Sequence, residues 1–305
     1  MNRVIRIGTR DSELALWQAT TVQKQLEHHG YKTELVPVKS TGDLVLDKPL
    51  YELGITGIFT KTLDVAMLNG TVDIAVHSMK DVPTALPIGI VQAAVLERAA
   101  TQDLLVHKGT PDYTQDCIIA TGSLRRQAQW LNKYPHHQTT DLRGNVNTRL
   151  QKLDDSDWTG AIFAKAGLER INILPSNYEV LDWMTPAPAQ GAMLIVALEN
   201  DDFSKTACAK LNHEATALCT HIEREFLRTL EGGCTAPIGA IANINKETIH
   251  FTGVLFSLDG KTKLEVNQSV SVSHSQGFGV DCALEILDNG GRELMKEIKA
   301  SINKK

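Results

Sequence analysis

Paired cysteines, long apolar runs and an excess of basic charge are all missing from this chain of 305 residues. Its cysteines are odd in number and form no CxxC pair, which argues against a disulfide framework and against a zinc or other metal site. No hydrophobic run approaches the roughly 20 residues that cross a bilayer, and the charged N-terminus has no secretory core. We therefore expect a protein of the reducing cytoplasm, without a membrane partner.

The charge balance points away from polyanionic macromolecules. With 31 basic and 36 acidic residues the formal net charge is −5, a poor match for nucleic acid or anionic membranes. Aromatic residues make up only 5% of the chain, too few for the stacking surfaces that bind single strands. A hydrophobic content of 42% in a chain of this length predicts two or three domains with substantial cores.

Short apolar strands, among them Ile90–Val95, Asp103–Val106 and Met193–Leu198, alternate with amphipathic helices as far as Leu198, the pattern of an α/β protein. The last of these strands is predicted to be inserted into a sheet, and residues 39–57 are predicted to form a long irregular connection. Beyond Asp201 the order changes, which indicates a separate α+β domain. Its predicted elements are helices at Ser204–Asn212 and His213–Leu230, strands near Ile238–Ile244, Thr248–Leu255 and Lys263–Val272, and two final helices broken at Asp288–Gly291. We find no internal repeat in the sequence.

Residues 72–84, VDIAVHSMKDVPT, combine a predicted strand at Val72–Val76 with ionisable side chains. Pro83 directs the backbone away from regular structure immediately afterwards. Because ligands of open α/β sheets bind beyond the carboxyl ends of the strands, Asp81 beside Lys80 is a candidate acid–base group next to a cation. The alternative is a surface loop with a solvated ion pair.

A second candidate lies at the N-terminus, where a strand at Val4–Gly8 precedes a helix predicted over Glu13–His28. Asp11 or Ser12 is a suitable cap for that helix. The helix start and the Arg10 guanidinium together favour a carboxylate or phosphate ligand. An ordinary capped helix with a surface arginine is the alternative.

Arginines are concentrated in the second half of the α/β region, at Arg125, Arg126, Arg143, Arg149 and Arg170. Two of them, Arg125 and Arg126, fall in the first turn of a predicted helix, where the dipole disfavours cations unless an anion offsets them. A small polyanionic ligand explains the cluster, since guanidinium forks match carboxylates in pairs. A solvated basic face, or salt bridges to neighbouring residues, would explain it without a ligand.

The segment LEGGCTAPIG follows the long helix predicted at His213–Leu230. Its two glycines end the helix and leave Cys234 on a tight turn, where an accessible thiolate is a strong nucleophile. A buried, inert cysteine is the alternative for any single thiol, and it is what we expect for Cys117 and Cys219.

Together, VHSMKDVPT, GSLRRQAQ, DLRGNVNTRL and LEGGCTAPIG resemble the motifs of the porphobilinogen deaminase (hydroxymethylbilane synthase) family of tetrapyrrole biosynthesis. The resemblance runs from RIGTRDSELALWQA to DNGGREL, nearly the whole chain. It implies two periplasmic-binding-protein-like (type II) α/β lobes around a cleft, plus a smaller α+β C-terminal domain, in a monomer. The implied domains are residues 1–97 with 192–202, residues 98–191 and residues 203–305.

The resemblance also implies a transferase that uses a dipyrromethane cofactor joined to Cys234 by a thioether. Four porphobilinogen units are added to this primer with release of ammonia, and hydrolysis then frees hydroxymethylbilane. Asp81 matches the family's catalytic aspartate. It would hold pyrrole N–H groups, assist loss of ammonia and stabilise the azafulvene cation.

Other site residues are implied residue by residue. Positions that bind the cofactor's side chains are matched by Ser12, Ser78, Lys80, Thr121, Ser123, Arg125 and Arg126. Positions that hold substrate or the growing chain are matched by Arg10, Arg143, Arg149 and Arg170, and matching cleft segments contain Gln18, Phe59, Asn145 and Gln190. The chain departs from relatives in lacking a lysine near Gly54–Gly57 and in having Lys165 where they often have an apolar residue.

Two other classes of function compete with this interpretation. A non-catalytic anion-binding protein of the two-lobe receptor type would explain a cleft and arginines, but it would carry an export signal and leave Cys234 without a role. A hydrolase with a cysteine nucleophile would need His77 or His221 as its base, and no local signature of such a dyad is present.

Overall fold

The computed structural model describes residues 3–38, 60–230 and 236–302. Phe59, Cys234 and the predicted irregular connection at residues 39–57 lie outside the described residues. The strands are β1 (Val4–Thr9), β2 (Lys32–Pro37), β3 (Ile74–Ser78), β4 (Ile90–Val95), β5 (Asp103–His107), β6 (Ile118–Ala120), β7 (Gln138–Thr140), β8 (Gly160–Ala164), β9 (Tyr178–Val180), β10 (Met193–Leu198), β11 (Ile238–Asn245), β12 (Thr248–Phe256) and β13 (Lys263–Ser271). The helices are α1 (Glu13–His28), α2 (Lys61–Leu68), α3 (Leu124–Lys133), α4 (Val146–Asp154), α5 (Lys165–Arg170), α6 (Asp202–Ala209), α7 (Glu214–Thr229), α8 (Phe278–Ile286) and α9 (Arg292–Ile302).

The first lobe is built on a five-stranded sheet in the order β2-β1-β3-β10-β4. Strand β1 pairs with β2 and β3 in parallel, whereas β10 runs antiparallel to both of its neighbours. Apolar residues of the central strands are buried on both faces, with α1 packed on one side and α2 on the other. The predicted insertion of Met193–Leu198 into a sheet is confirmed.

The second lobe repeats that arrangement in the order β7-β6-β8-β5-β9, with β5 antiparallel to β8 and β9. The chain crosses between the lobes twice: residues 96–102 lead from β4 to β5, and residues 181–192 lead from β9 back to β10. Each crossover is followed by the antiparallel strand of the lobe that it enters. The sequence shows no repeat, because the same strand order is specified by different apolar side chains. This shared order confirms the predicted two-lobe α/β fold of the periplasmic-binding-protein type.

The C-terminal region forms the antiparallel sheet β11-β12-β13, covered by α7, α8 and α9. Phe226, Phe251 and Phe278 pack edge to face in its core. The predicted α+β domain is confirmed, while the domain boundaries stay a prediction. Across the described ranges, no helix has both the length and the hydropathy needed to cross a membrane.

A buried carboxylate ties this domain to both crossovers between the lobes. Glu223 of α7 has no exposed surface and accepts hydrogen bonds from Arg98 Nη1 at 2.6 Å and Nη2 at 3.0 Å. It also accepts from the backbone N–H groups of Ala189 at 2.6 Å and Ala242 at 2.7 Å. Arg98 and Ala189 belong to different crossovers, so one side chain fixes both against the third domain.

Three local features of the structure differ from what the sequence predicts. The strand predicted at Val72–Val76 is β3, Ile74–Ser78, because its last residues, His77 and Ser78, pair with β10, a strand far away in sequence. Strand β9 was not predicted, since it is only three residues long and lies at a sheet edge. Ser12 occupies the N-cap of α1, but its side chain makes no capping hydrogen bond.

Candidate functional site

A cleft with about 1300 Å³ of empty space, part of it open to solvent, lies between the two lobes. The N-terminus of α1 and the end of β3 line it from the first lobe, and α4 and α5 from the second. Its described lining contains six cationic side chains and two carboxylates: Arg10, Lys80, Arg126, Arg143, Arg149 and Arg170, with Glu13 and Asp81. The cleft is therefore strongly cationic in a chain whose net charge is −5.

Asp81 ends a single 3₁₀ turn, Met79–Asp81, that directly follows β3. Met79 and Val82 are only 1% and 3% exposed and pack into the core of the first lobe, whereas Lys80 and Asp81 line the cleft. The backbone of this turn is thus anchored by apolar side chains on one side, and its ionisable side chains border the cleft on the other. This placement differs from a solvated surface loop, the alternative raised by the sequence.

Lys80 is partly buried, between Asp81 and a set of buried polar side chains behind the cleft wall. We call this set, Gln18, Asp103 and Gln190, the inner polar layer. Burial lowers the pKa of Lys80 to about 8, although the Asp81 carboxylate acts to raise it. Its Nζ is 3.4 Å from Oε1 of Gln190, a fully buried residue whose Nε2 donates to Asp103 Oδ1 at 2.9 Å. Gln190 therefore supports the cleft wall from behind and is not among the residues that line it.

The two adjacent arginines of α3 are paired with a carboxylate of the protein itself. Asp103 accepts from Arg125 Nη2 at 2.8 Å and from Arg126 Nη2 at 2.8 Å. Burial acts to raise the pKa of Asp103, but the two guanidiniums outweigh it and hold that pKa well below the ordinary value. Arg126 still lines the cleft, whereas Arg125 lies behind the cleft wall, where its Nη1 donates to the Thr185 carbonyl at 2.7 Å. For Arg125, the alternative of a salt bridge to a neighbour is the observed one.

Sequence reasoning treated Asp103 only as the first residue of a strand. Its partner Arg125 lies 22 residues further on, and no motif spacing connects them. The available signal was electrostatic: two cations in the first turn of a helix require an anion.

We expect Asp103→Asn to destabilise the fold by about 3 to 5 kcal/mol, because it leaves two buried guanidiniums without their counter-charge. The loss should be present at neutral pH, since a carboxylate with a lowered pKa stabilises the fold above the ordinary aspartate range and loses that contribution on acidification. Denaturant unfolding measures it, with the exposed Asp157→Asn in the same lobe as control. Equal unfolding free energies for the two variants would contradict this reading of the network.

Two other arginines of the cleft, Arg149 and Arg170, are held by backbone carbonyls. Arg149 Nε donates to the Gly144 carbonyl at 2.8 Å, and Arg170 Nη2 donates to the Gly191 carbonyl at 2.7 Å. Burial, reinforced by the Arg126 cation, lowers the pKa of Arg149 to about 10, and burial alone lowers that of Arg170 to about 10. Both stay charged at neutral pH, and their incomplete solvation favours the binding of anions.

The uncharged residues that were predicted for the site lie in two layers, one lining the cleft and one behind it. Ser12, Ser78 and Asn145 line the cleft, and Asn145 also caps α4 by accepting from Thr148 N at 2.9 Å. Gln18, Thr121 and Ser123 do not appear in its described lining. Gln18 Nε2 donates to Ser78 Oγ at 2.9 Å, and Ser123 occupies the N-cap of α3, so these residues orient others.

The histidines and the described cysteines give little support to a cysteine hydrolase. Burial, aided by the Arg10 cation, lowers the pKa of His77 to about 4, and His221 is exposed beside Glu225. Cys117 is buried, as expected. Burial raises the thiol pKa of Cys219 to about 11 and those of Cys208 and Cys282 to about 12.

Comparisons with known proteins identify the family of the chain. Residues 5–206 match the family model "Porphobilinogen deaminase, dipyromethane cofactor binding domain", and residues 217–288 match "Porphobilinogen deaminase, C-terminal domain". The porphobilinogen deaminase of Chlorobium phaeobacteroides is 38% identical over 98% of this chain and 99% of its own length. That of Geobacter metallireducens is 40% identical over 96% of this chain and 94% of its own length.

Among solved structures, the periplasmic VFT2 domain of Bordetella pertussis BvgS aligns with 68% of this chain and 86% of its own, at 9% identity and a TM-score of 0.41. The fold assignment rests on the strand order described above and not on that alignment. The two family models and the nearly full-length relatives confirm the predicted resemblance. The chain belongs to the porphobilinogen deaminase family.

Proposed function

We propose that this chain condenses four porphobilinogen units, head to tail, onto a covalently bound dipyrromethane primer and releases hydroxymethylbilane by hydrolysis. The observation that carries the proposal is the cleft, in which one strand-end carboxylate, Asp81, borders a surface lined by arginines and Lys80. A cation that forms during deamination needs a carboxylate, and a chain of acidic pyrroles needs guanidiniums.

The residues of the cleft fit the cofactor that the family model names. Each pyrrole ring of a dipyrromethane carries an acetate and a propionate, and six cations line the cleft. Lys80, Arg126, Ser12 and Ser78 would hold these carboxylates, with a thioether to Cys234 as the covalent link. When bound, the group would supply the pyrrole carbon at which chain growth begins.

In this proposal Asp81 is the catalytic residue. Its carboxylate accepts hydrogen bonds from pyrrole N–H groups and stabilises the positive charge that develops as porphobilinogen loses ammonia. Arg10, Arg143, Arg149 and Arg170 bind the carboxylates of the substrate and the elongating chain. Once these guanidiniums are paired with the carboxylates of the bound pyrroles, they no longer repel the positive charge that develops near Asp81.

The inner polar layer keeps this machinery in place. Asp103 fixes Arg126, Gln190 links Asp103 to Lys80, and Gln18 holds Ser78. We infer that Arg125, Thr121 and Ser123 act with that layer and support the bound groups from behind. The proposal also takes the protein to be a cytoplasmic monomer with the three domains given above.

The test is the stoichiometry of the reaction. Purified protein incubated with porphobilinogen should release four molecules of ammonia for each hydroxymethylbilane formed, because each added unit loses its aminomethyl nitrogen. Ammonia is measured by a coupled assay, and hydroxymethylbilane by its cyclisation and oxidation to a coloured porphyrin. Saturable binding of porphobilinogen with no ammonia release would favour the two-lobe binding protein instead.

A further inference from the structure

We propose that Arg224, on helix α7 of the C-terminal domain, is a positioning residue that fixes the turn bearing Asp81. This inference rests on the proposed catalytic role of Asp81. Arg224 is not in the described lining of the cleft, so it acts through the backbone that it binds.

The Arg224 guanidinium binds the carbonyls on both sides of Asp81. Nη1 donates to the Val82 carbonyl at 2.9 Å and to the Met79 carbonyl at 3.3 Å, and Nη2 donates to the Pro83 carbonyl at 2.6 Å. One side chain from another domain therefore spans the turn Met79–Asp81 and its exit.

Within the described part of the chain, two other backbone hydrogen bonds hold the turn. Val82 N closes it by donating to the Met79 carbonyl at 3.2 Å, and Met79 N donates to the Ala192 carbonyl at 3.0 Å. Pro83 has no N–H, so the chain leaves the turn without a backbone donor at that position. The position of Asp81 along the cleft wall thus depends on the carbonyls that Arg224 binds as well as on the buried side chains of Met79 and Val82.

An arginine suits this position better than any other residue type. Its planar guanidinium presents several donors in a fixed fork, which matches three converging carbonyls. A lysine offers a single compact ammonium and would hold fewer of them at good geometry. Loss of the fork would leave carbonyls unsatisfied and allow the turn to shift.

Helix α7, which carries Arg224, also contacts the two crossovers and the core of the first lobe. Glu223, the preceding residue, holds Arg98 and Ala189 of the two crossovers, and Ala217 of the same helix packs against the core beneath the turn. The same helix ends at Thr229, shortly before the segment that contains Cys234. Arg224 therefore couples the acid of the first lobe to the helix that leads to the proposed cofactor thiol.

The experiment compares Arg224→Ala and Arg224→Lys with Arg292→Ala, which removes an arginine of the same domain from an exposed pair with Asp288. Intact mass first establishes that each protein carries the dipyrromethane. We expect Arg224→Ala to lower kcat by roughly tenfold to a hundredfold with little change in KM, because small displacements of catalytic groups have effects of that size. Arg224→Lys should retain part of the rate, and Arg292→Ala all of it.

Two further readouts separate positioning from general destabilisation. Guanidinium ion at millimolar concentration should partly restore kcat to Arg224→Ala and not to Asp81→Asn. Hydrogen exchange should increase in the peptide containing residues 79–82 and not in the sheet of the C-terminal domain. Should the alanine variant fail to fold, Arg224→Lys carries the test, since it keeps the charge and the alkyl stem.

The inference is overturned if the folded Arg224 variants turn over at the wild-type rate while Asp81→Asn is inactive. It is also overturned if the rate falls without any rescue by guanidinium and without a local change in exchange. An active Asp81→Asn would instead refute the proposed role of Asp81, which distinguishes the two failures.

Discussion

Asp81→Asn should abolish nearly all turnover and leave the fold, the cleft and the primer in place. Asparagine has almost the same shape and its amide oxygen can still accept a pyrrole N–H, but it cannot offset the charge that develops when ammonia leaves. The loss in kcat should be at least about a hundredfold and up to a thousandfold, the range observed when one group that stabilises transition-state charge is removed. Ammonia release by protein that already carries its primer measures the chemical steps directly.

Glu13→Gln is the matched control, because Glu13 is the other carboxylate in the described lining of the cleft. It lies at the start of α1, and its Oε2 accepts a hydrogen bond from Asn147 Nδ2 of the second lobe at 2.7 Å. Its removal changes the net charge of the cleft by the same amount and should cost far less rate. Comparable losses in both variants would mean that overall charge, and not the position of Asp81, controls the reaction.

The fold could be predicted as far as its signals are local. Strands β4 and β10 were predicted with their observed bounds, because Met193–Leu198 is a continuous apolar run and Ile90–Val95 is apolar except for Gln92. Their pairing could not be predicted in the same way. Strand β10 lies between β3 and β4, more than 90 residues earlier, and no local pattern encodes an antiparallel partner at that distance.

The residues of the candidate site, too, could be predicted from local signals but not from long-range contacts. Asp81 and Lys80 were predicted to border a ligand because they follow a strand end, and the structure places them on the cleft. Asp103 and Arg224 escaped notice, since each acts through contacts with residues distant in sequence. Arg224 reaches carbonyls 141 to 145 residues earlier, and backbone carbonyls leave no mark on a sequence motif. Supporting residues of this kind become visible only when the domains are assembled.

Intact mass spectrometry should find this protein heavier than its sequence by two porphobilinogen units less two molecules of ammonia. That difference is what a thioether-linked dipyrromethane leaves, because each unit loses its amine when the new bond forms. Cys234→Ala should lack the added mass and should produce no hydroxymethylbilane, since chain growth would have no covalent starting point. Loss of both properties in one variant is the largest effect we expect.

Cys219→Ala is the control for that variant. Cys219 lies in α7, the helix that leads towards the segment containing Cys234, and burial raises its thiol pKa to about 11. A thiol that ionises so reluctantly is a poor nucleophile at neutral pH, so its removal should leave the added mass unchanged. Full added mass on Cys234→Ala would assign the attachment to another residue. An active wild-type protein without added mass would refute a covalent primer altogether, and the cationic cleft would then have to hold its growing chain by charge alone.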